Sequence, residues 1–200
     1  MGRSRKKKNK WQDHYTVRAK KENYPARSVY KLEEIQRRFK LIKKGDRVLD
    51  LGCAPGSWLR LAAKLTGEGG KVVGIDLNPL KIALPPHAEV YTGDILSESP
   101  EIIKALENGF DVVISDMAPA TTGNKDTDAA RSLRLSQAAL SIAEKCLRPG
   151  GHFVGKIFQG PDFQDYVETV KTVFKTQKTY KPQSSRKASK EIFVIGMGKL

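Results

Sequence analysis

The sequence predicts an α/β fold: a mostly parallel sheet of seven strands with helices on both faces, finished by a C-terminal antiparallel hairpin. Three observations lead there. From residue 47 onward, short apolar runs alternate with amphipathic ones, the pattern of parallel strands joined by helical crossovers. The run Asp50-Leu51-Gly52-Cys53-Ala54-Pro55-Gly56 follows Arg47-Val48-Leu49 and leads into a helix near Ser57. Its glycines permit a tight turn, since neither has a Cβ in the way. Finally, the last two strand-like runs have no helix between them, so they must pair as a hairpin.

The elements follow in order. A helix is expected from about Ser28 to Ile42, with Ser28 as N-cap and Leu32, Ile35, Phe39 and Ile42 on one face. Strands are expected near 47–51, 71–76, 88–92 and 110–115, with helices at 57–66 and 99–107. A long helix from about Thr127 to Leu147 should stop at Arg148-Pro149-Gly150-Gly151. A strand at 152–158, a helix at 162–174 and closing strands near 176–181 and 191–197 complete the chain. No repeat or interdomain linker interrupts it. The organisation expected is a flexible basic arm at 1–10 and one domain at 11–200, a length sufficient for a sizeable core.

The glycine turn marks a ligand site, because the next helix offers free N–H groups to whatever lies there. A dinucleotide fingerprint would read G-x-G-x-x-G. Here an acid, Asp50, stands two residues before Gly52, and the spacing to Gly56 is G-x-x-x-G. An acid at a strand tip suits a cationic ligand end better than a pyrophosphate, and S-adenosylmethionine, with its amine and sulfonium, is such a ligand. Three more strands end in acid at Asp76, Asp94 and Asp116. Each alone reads equally well as a turn former. Together they fit a cofactor held at the carboxyl ends of the strands, with Asp76 at its ribose and Asp94 near its adenine. Trp58 is expected either to close over the ligand or to pack helix against sheet.

Composition narrows the class further. A charged fraction of 29% and a hydrophobic fraction of 39% are those of a soluble protein. No apolar run is long enough for a bilayer or a signal peptide. Cys53 and Cys146 have neither metal-ligand spacing nor a disulfide framework, so a cytoplasmic protein with reduced thiols and no metal is expected. The net charge of +14 is unevenly spread: residues 1–44 hold 16 Lys and Arg against 4 Asp and Glu. The arm Arg3-Ser4-Arg5-Lys6-Lys7-Lys8-Asn9-Lys10 and the stretch Lys171–Lys190, which lacks any acid, point to a polyanionic partner, with RNA foremost.

The segment Ser115-Asp116-Met117-Ala118-Pro119 follows the fourth strand, where a methyl acceptor would meet the donor. It has no aromatic to grip a planar amine and no cysteine for attack on a pyrimidine. An oxygen acceptor, which needs a base, is what remains. Together with Arg27-Ser28-Val29-Tyr30-Lys31-Leu32, Asp50 to Trp58, Gly155-Lys156-Ile157-Phe158-Gln159-Gly160, and Ser184-Ser185-Arg186 through Glu191, it resembles the FtsJ/RrmJ-like ribose 2′-O-methyltransferases over nearly the whole chain.

The resemblance implies a Rossmann-like class I fold using S-adenosylmethionine, and a catalytic tetrad of Lys31, Asp116, Lys156 and Glu191. It also implies a substrate: a uridine ribose in the A-loop of large-subunit ribosomal RNA, met as free RNA or as a ribosomal particle. Transfer RNA or a messenger cap is the alternative acceptor. The chain is expected to act as a monomer, without membrane or metal. Lys156 would take the hydroxyl proton, with Lys31 as a neighbouring like charge and Asp116 and Glu191 orienting the amines and the ribose. A NAD-dependent oxidoreductase would leave the basic arm without a reason, and a non-catalytic ribosome-assembly protein would leave the tetrad without one.

Overall fold

The computed structural model describes residues 13–97, 99–107, 109–186 and 188–200. The expected arm at 1–10 lies outside them. Strands β1 (Arg47–Leu51), β2 (Lys71–Asp76), β3 (Ala88–Thr92), β4 (Phe110–Ser115), β5 (Leu147–Phe158), β6 (Phe174–Tyr180) and β7 (Glu191–Lys199) form one sheet in the order β3-β2-β1-β4-β5-β7-β6. The first five run parallel, and β7 pairs antiparallel with both β5 and β6. The sheet order reverses at β1, placing the turn after it at the crevice where open α/β sheets bind ligands.

Alternation along the strands supplies two cores. Leu49, Leu51, Val73, Ile75, Val113 and Phe153 pack under α4 (Pro100–Leu106), α5 (Lys125–Cys146) and α6 (Phe163–Val173). Val48, Val72, Val112, Ile114 and Val154 face the other way, under α2 (Val29–Phe39) and α3 (Ser57–Thr66). Successive side chains of a strand point to opposite faces, so near-continuous apolar strands are what a sheet covered on both sides requires.

The structure departs from expectation at several points. Helix α2 ends at Phe39, because Lys40 adopts the left-handed conformation (φ 52°) and turns the chain. Ser28 makes no side-chain cap bond; its carbonyl instead accepts from the Trp58 indole. Arg148-Pro149-Gly150-Gly151 does not separate helix from strand: β5 begins at Leu147, which pairs with Phe110, and the ladder resumes at His152 after a register shift. An additional helix, α1 (His14–Lys21), is capped by Asp13, whose carboxylate accepts from the Tyr15 N–H. It buries only Ala19, leaving almost no apolar face to read.

Candidate active site

The strand register fixes where the tetrad stands. On β5, Lys156 lies opposite Phe193 of β7, and Phe158 lies opposite Glu191. Cross-strand partners share a face, as do residues two apart, so Lys156, Glu191 and Phe193 project to the side covered by α2. Helix α2 packs there through Leu32 and Ile35 and brings Lys31 between them. Asp116 follows Ser115, whose neighbour on β5 is Gly155, next to Lys156.

The four side chains form one chain of charge. Lys31 Nζ lies 2.9 Å from Glu191 Oε2 and 3.6 Å from Asp116 Oδ1. Lys156 Nζ lies 2.9 Å from the same Asp116 oxygen and also donates to the Asp116 carbonyl. The Lys156 side chain is only 6% exposed. Burying charge without partners is expensive, and here two ammonium groups alternate with two carboxylates. Burial pushes the Glu191 carboxyl up, but the charge and hydrogen bond of Lys31, with Lys156 behind, prevail and hold it below its ordinary value.

Lys156 is fixed from behind by hydroxyls that sequence reading missed. Ser136 of α5 donates to the Lys156 carbonyl at 2.8 Å, Ser132 accepts from the Phe158 N–H, and Tyr166 donates to the Ser136 carbonyl. Lys31 lies over the Phe193 ring, 5.8 Å from its centre. Glu34, one turn further along α2, accepts from the Gln183 and Ser184 N–H groups and from the Tyr180 hydroxyl. It thereby ties the β6–β7 connection to the helix. Its position in the helical pattern gave no signal of this task.

Beside the tetrad lies a cavity of about 490 Å³, bordered by Gly52, Asp76, Asp94, Ile95, Met117 and Arg134. That volume is within the range of small-molecule sites. Asp76 accepts from the Ala54 and Asn78 N–H groups, and Asp94 from that of Leu96, so both acids are held by the backbone. Gly52 (φ 74°) must be glycine on two counts, since a Cβ there would also overlap the Met117 side chain.

Asp50, Gly56, Trp58 and Asp116 are not on the cavity wall, although Asp116 adjoins it through Met117. Asp50 is 1% exposed, and one of its oxygens lacks a hydrogen-bond partner. Burial first, then the charges of Asp116 and Asp76, push its carboxyl well above its ordinary value, against one bond from the Leu59 N–H. Gly56 (φ 105°) caps α3. The Trp58 side chain is buried, stacked on Phe193 at 5.7 Å, and its N–H is spent on the Ser28 carbonyl. It packs helix against sheet.

Both cysteines are buried free thiols. Burial pushes Cys146 up to about 12 and Cys53 higher still, with Asp50 and Asp76 adding to the latter. Neither offers a thiolate nucleophile. Among the described residues no cluster could hold a metal, and no helix is long and apolar enough to cross a membrane.

The match to the model of the FtsJ-like methyltransferases runs over residues 24–199. The chain belongs to that family. It is 59% identical to the ribosomal RNA large subunit methyltransferase E of Desulforapulum autotrophicum, across 99% of this chain and 98% of that one. It is 52% identical to the protein of the same name from Desulfosudis oleivorans, across 100% and 96%. Among solved structures, a Plasmodium falciparum protein assigned as a ribosomal RNA methyltransferase superposes with a TM-score of 0.76 at 26% identity, covering 88% of this chain and 99% of that one. This FtsJ-like protein is therefore a methyltransferase with the Rossmann-like fold its sequence predicts.

Proposed function

We propose that this protein transfers the methyl group of S-adenosylmethionine to a ribose 2′-hydroxyl of large-subunit ribosomal RNA, the acceptor being a uridine of the A-loop. One observation supports it above the rest: the alternating chain Glu191–Lys31–Asp116–Lys156 adjoins a cofactor-sized cavity through Met117, the residue after Asp116. The names of the relatives over their full length support the ribosomal substrate. The domain at 11–200, acting as a monomer in the cytoplasm without metal, belongs to the same reading, as does the arm at 1–10 as an RNA-binding extension.

The residues present fit the cofactor. Asp76 and Asp94 present acceptors suited to ribose hydroxyls and an adenine amine, while Ile95 and Met117 offer apolar walls to a planar base. The carboxylates of Asp76 and Asp94 make the lining negative, as a ligand with an amine and a sulfonium requires. When bound, S-adenosylmethionine supplies a methyl group already activated by the adjacent positive sulfur.

The remaining obstacle is the hydroxyl proton. Lys156, in its uncharged amine form with one proton already given up to solvent, is the group placed to take it, once Asp116 and Lys31 have set its position. Asp116 holds both amines through one oxygen, and Glu191 holds Lys31 from the far side. Because these groups are buried and paired before substrate arrives, little reorganisation is needed at the moment of transfer. Mapping 2′-O-methyl groups on ribosomal RNA from cells with and without this protein tests the assignment. One ribose in the A-loop of the large ribosomal RNA should lose its methyl group. Loss from transfer RNA or messenger caps alone would overturn it.

A further inference from the structure

A second recess, of about 240 Å³, adjoins the tetrad at its Lys31–Glu191 end. Those two residues form one wall, and Arg27, Arg186, Ser184 and Ser189 the others. Its chemistry is that of an anion site. The Ser184 side chain is fully buried, and its hydroxyl has no hydrogen-bond partner. A buried hydroxyl left unpaired carries a desolvation cost that a ligand would relieve. The Ser189 hydroxyl accepts from the Glu191 N–H, so its own proton is left to donate elsewhere. Arg27 is held by Asp13 and the Ser184 carbonyl. Arg186 has no carboxylate within ion-pairing distance among the described residues, and faces Arg27 closely enough to repel it. Two guanidiniums and two hydroxyl donors converge on a space whose only acid, Glu191, is already spent on Lys31.

The geometry points to a phosphodiester subsite: this recess holds the phosphate on the 3′ side of the methylated ribose. The inference rests on the ribose 2′-hydroxyl reading above. Covalent structure then decides which phosphate fits, because the 2′-carbon is bonded to the 3′-carbon, whose oxygen carries the 3′-phosphate, making that phosphate the nearest anion to the reacting hydroxyl. Guanidinium forks suit phosphate oxygens. The recess would set the strand's register and polarity without reading its sequence.

The test measures methylation of large ribosomal particles purified from cells lacking this protein, across a range of salt. Arg186→Ala should raise KM for the particle roughly ten-fold and flatten the salt dependence of kcat/KM by about one phosphate contact. Arg186→Lys should recover the salt slope but only part of the KM. Ser184→Ala removes a hydroxyl with no internal partner, so the fold should tolerate it, and KM should rise several-fold. Cofactor affinity by calorimetry should be unchanged in all three. If the wild-type protein methylates the particle while Arg186→Ala and Ser184→Ala keep both KM and salt slope, the phosphate subsite is wrong. If the wild-type protein does not methylate a ribose at all, the underlying reading fails instead.

Discussion

Asp50 and Glu191 are both buried carboxylates, yet their surroundings drive them in opposite directions. Glu191 is held low by Lys31 and Lys156. It stabilises the fold above the unfolded carboxylate value of roughly 4.3, and that contribution disappears as pH falls through the lower folded value. Glu191→Gln should therefore flatten the acid side of the stability curve, measured as Tm between pH 7 and 3. Asp50 is held high by burial, Asp116 and Asp76. The unfolded chain releases that proton first, so its stability contribution falls as pH rises from roughly 3.9 to the higher folded value. The Tm of Asp50→Asn relative to wild type should thus improve from pH 4 to pH 8, by several degrees. A constant difference would show that Asp50 ionises freely. The sequence revealed these residues unequally. Lys31 alone reads as a surface lysine, and only the ordered motifs around Lys31, Asp116, Lys156 and Glu191 single out the four. The serines behind Lys156 and the task of Glu34 depend on contacts between distant segments, which no local pattern encodes.

Among elements, helix α2 and the β6–β7 connection must stay in register for Lys31 to meet Glu191. Glu34 is the link, accepting two backbone N–H bonds and one hydroxyl bond. Glu34→Ala leaves the buried Ser184 N–H unpaired, at about 1–3 kcal/mol, and removes the part-buried bonds from Gln183 and Tyr180 as well. A loss of about 2–4 kcal/mol in urea unfolding is expected, together with slower methyl transfer and unchanged cofactor affinity. Unchanged stability would mean that the connection holds without the carboxylate. The central strands were legible, because a sheet covered on both faces needs apolar runs, but the start of β5 at Leu147 was hidden by the turn-like Arg148-Pro149-Gly150-Gly151. Helix ends were less so. Lys40 terminates α2 in a backbone conformation that lysine's sequence position does not announce. Helix α1, with one buried residue, had no periodicity to detect. Trp58 was legible as an important aromatic, but the choice between ligand and core depended on Phe193, which lies far along the chain and reaches it through the β5–β7 pairing.

At the scale of the whole molecule, charge and chemistry are divided along the chain. The excess of basic residues precedes the first strand, while the carboxyl ends of the strands gather the acids that a cationic cofactor needs. Deleting residues 1–10 should weaken binding to large ribosomal particles and reduce its salt slope, with cofactor affinity untouched. An unaltered slope would show that the arm does not meet RNA. The central claim concerns the proton on the ribose hydroxyl, and single-turnover methylation at saturating RNA and cofactor, followed across pH, tests it most directly. Lys156→Ala should lose roughly 10²–10⁴-fold in rate. Lys156→Arg should fail as badly, since a guanidinium keeps its charge and cannot accept a proton. A Lys156→Arg protein with near wild-type rate and an unchanged pH profile would contradict the lysine base.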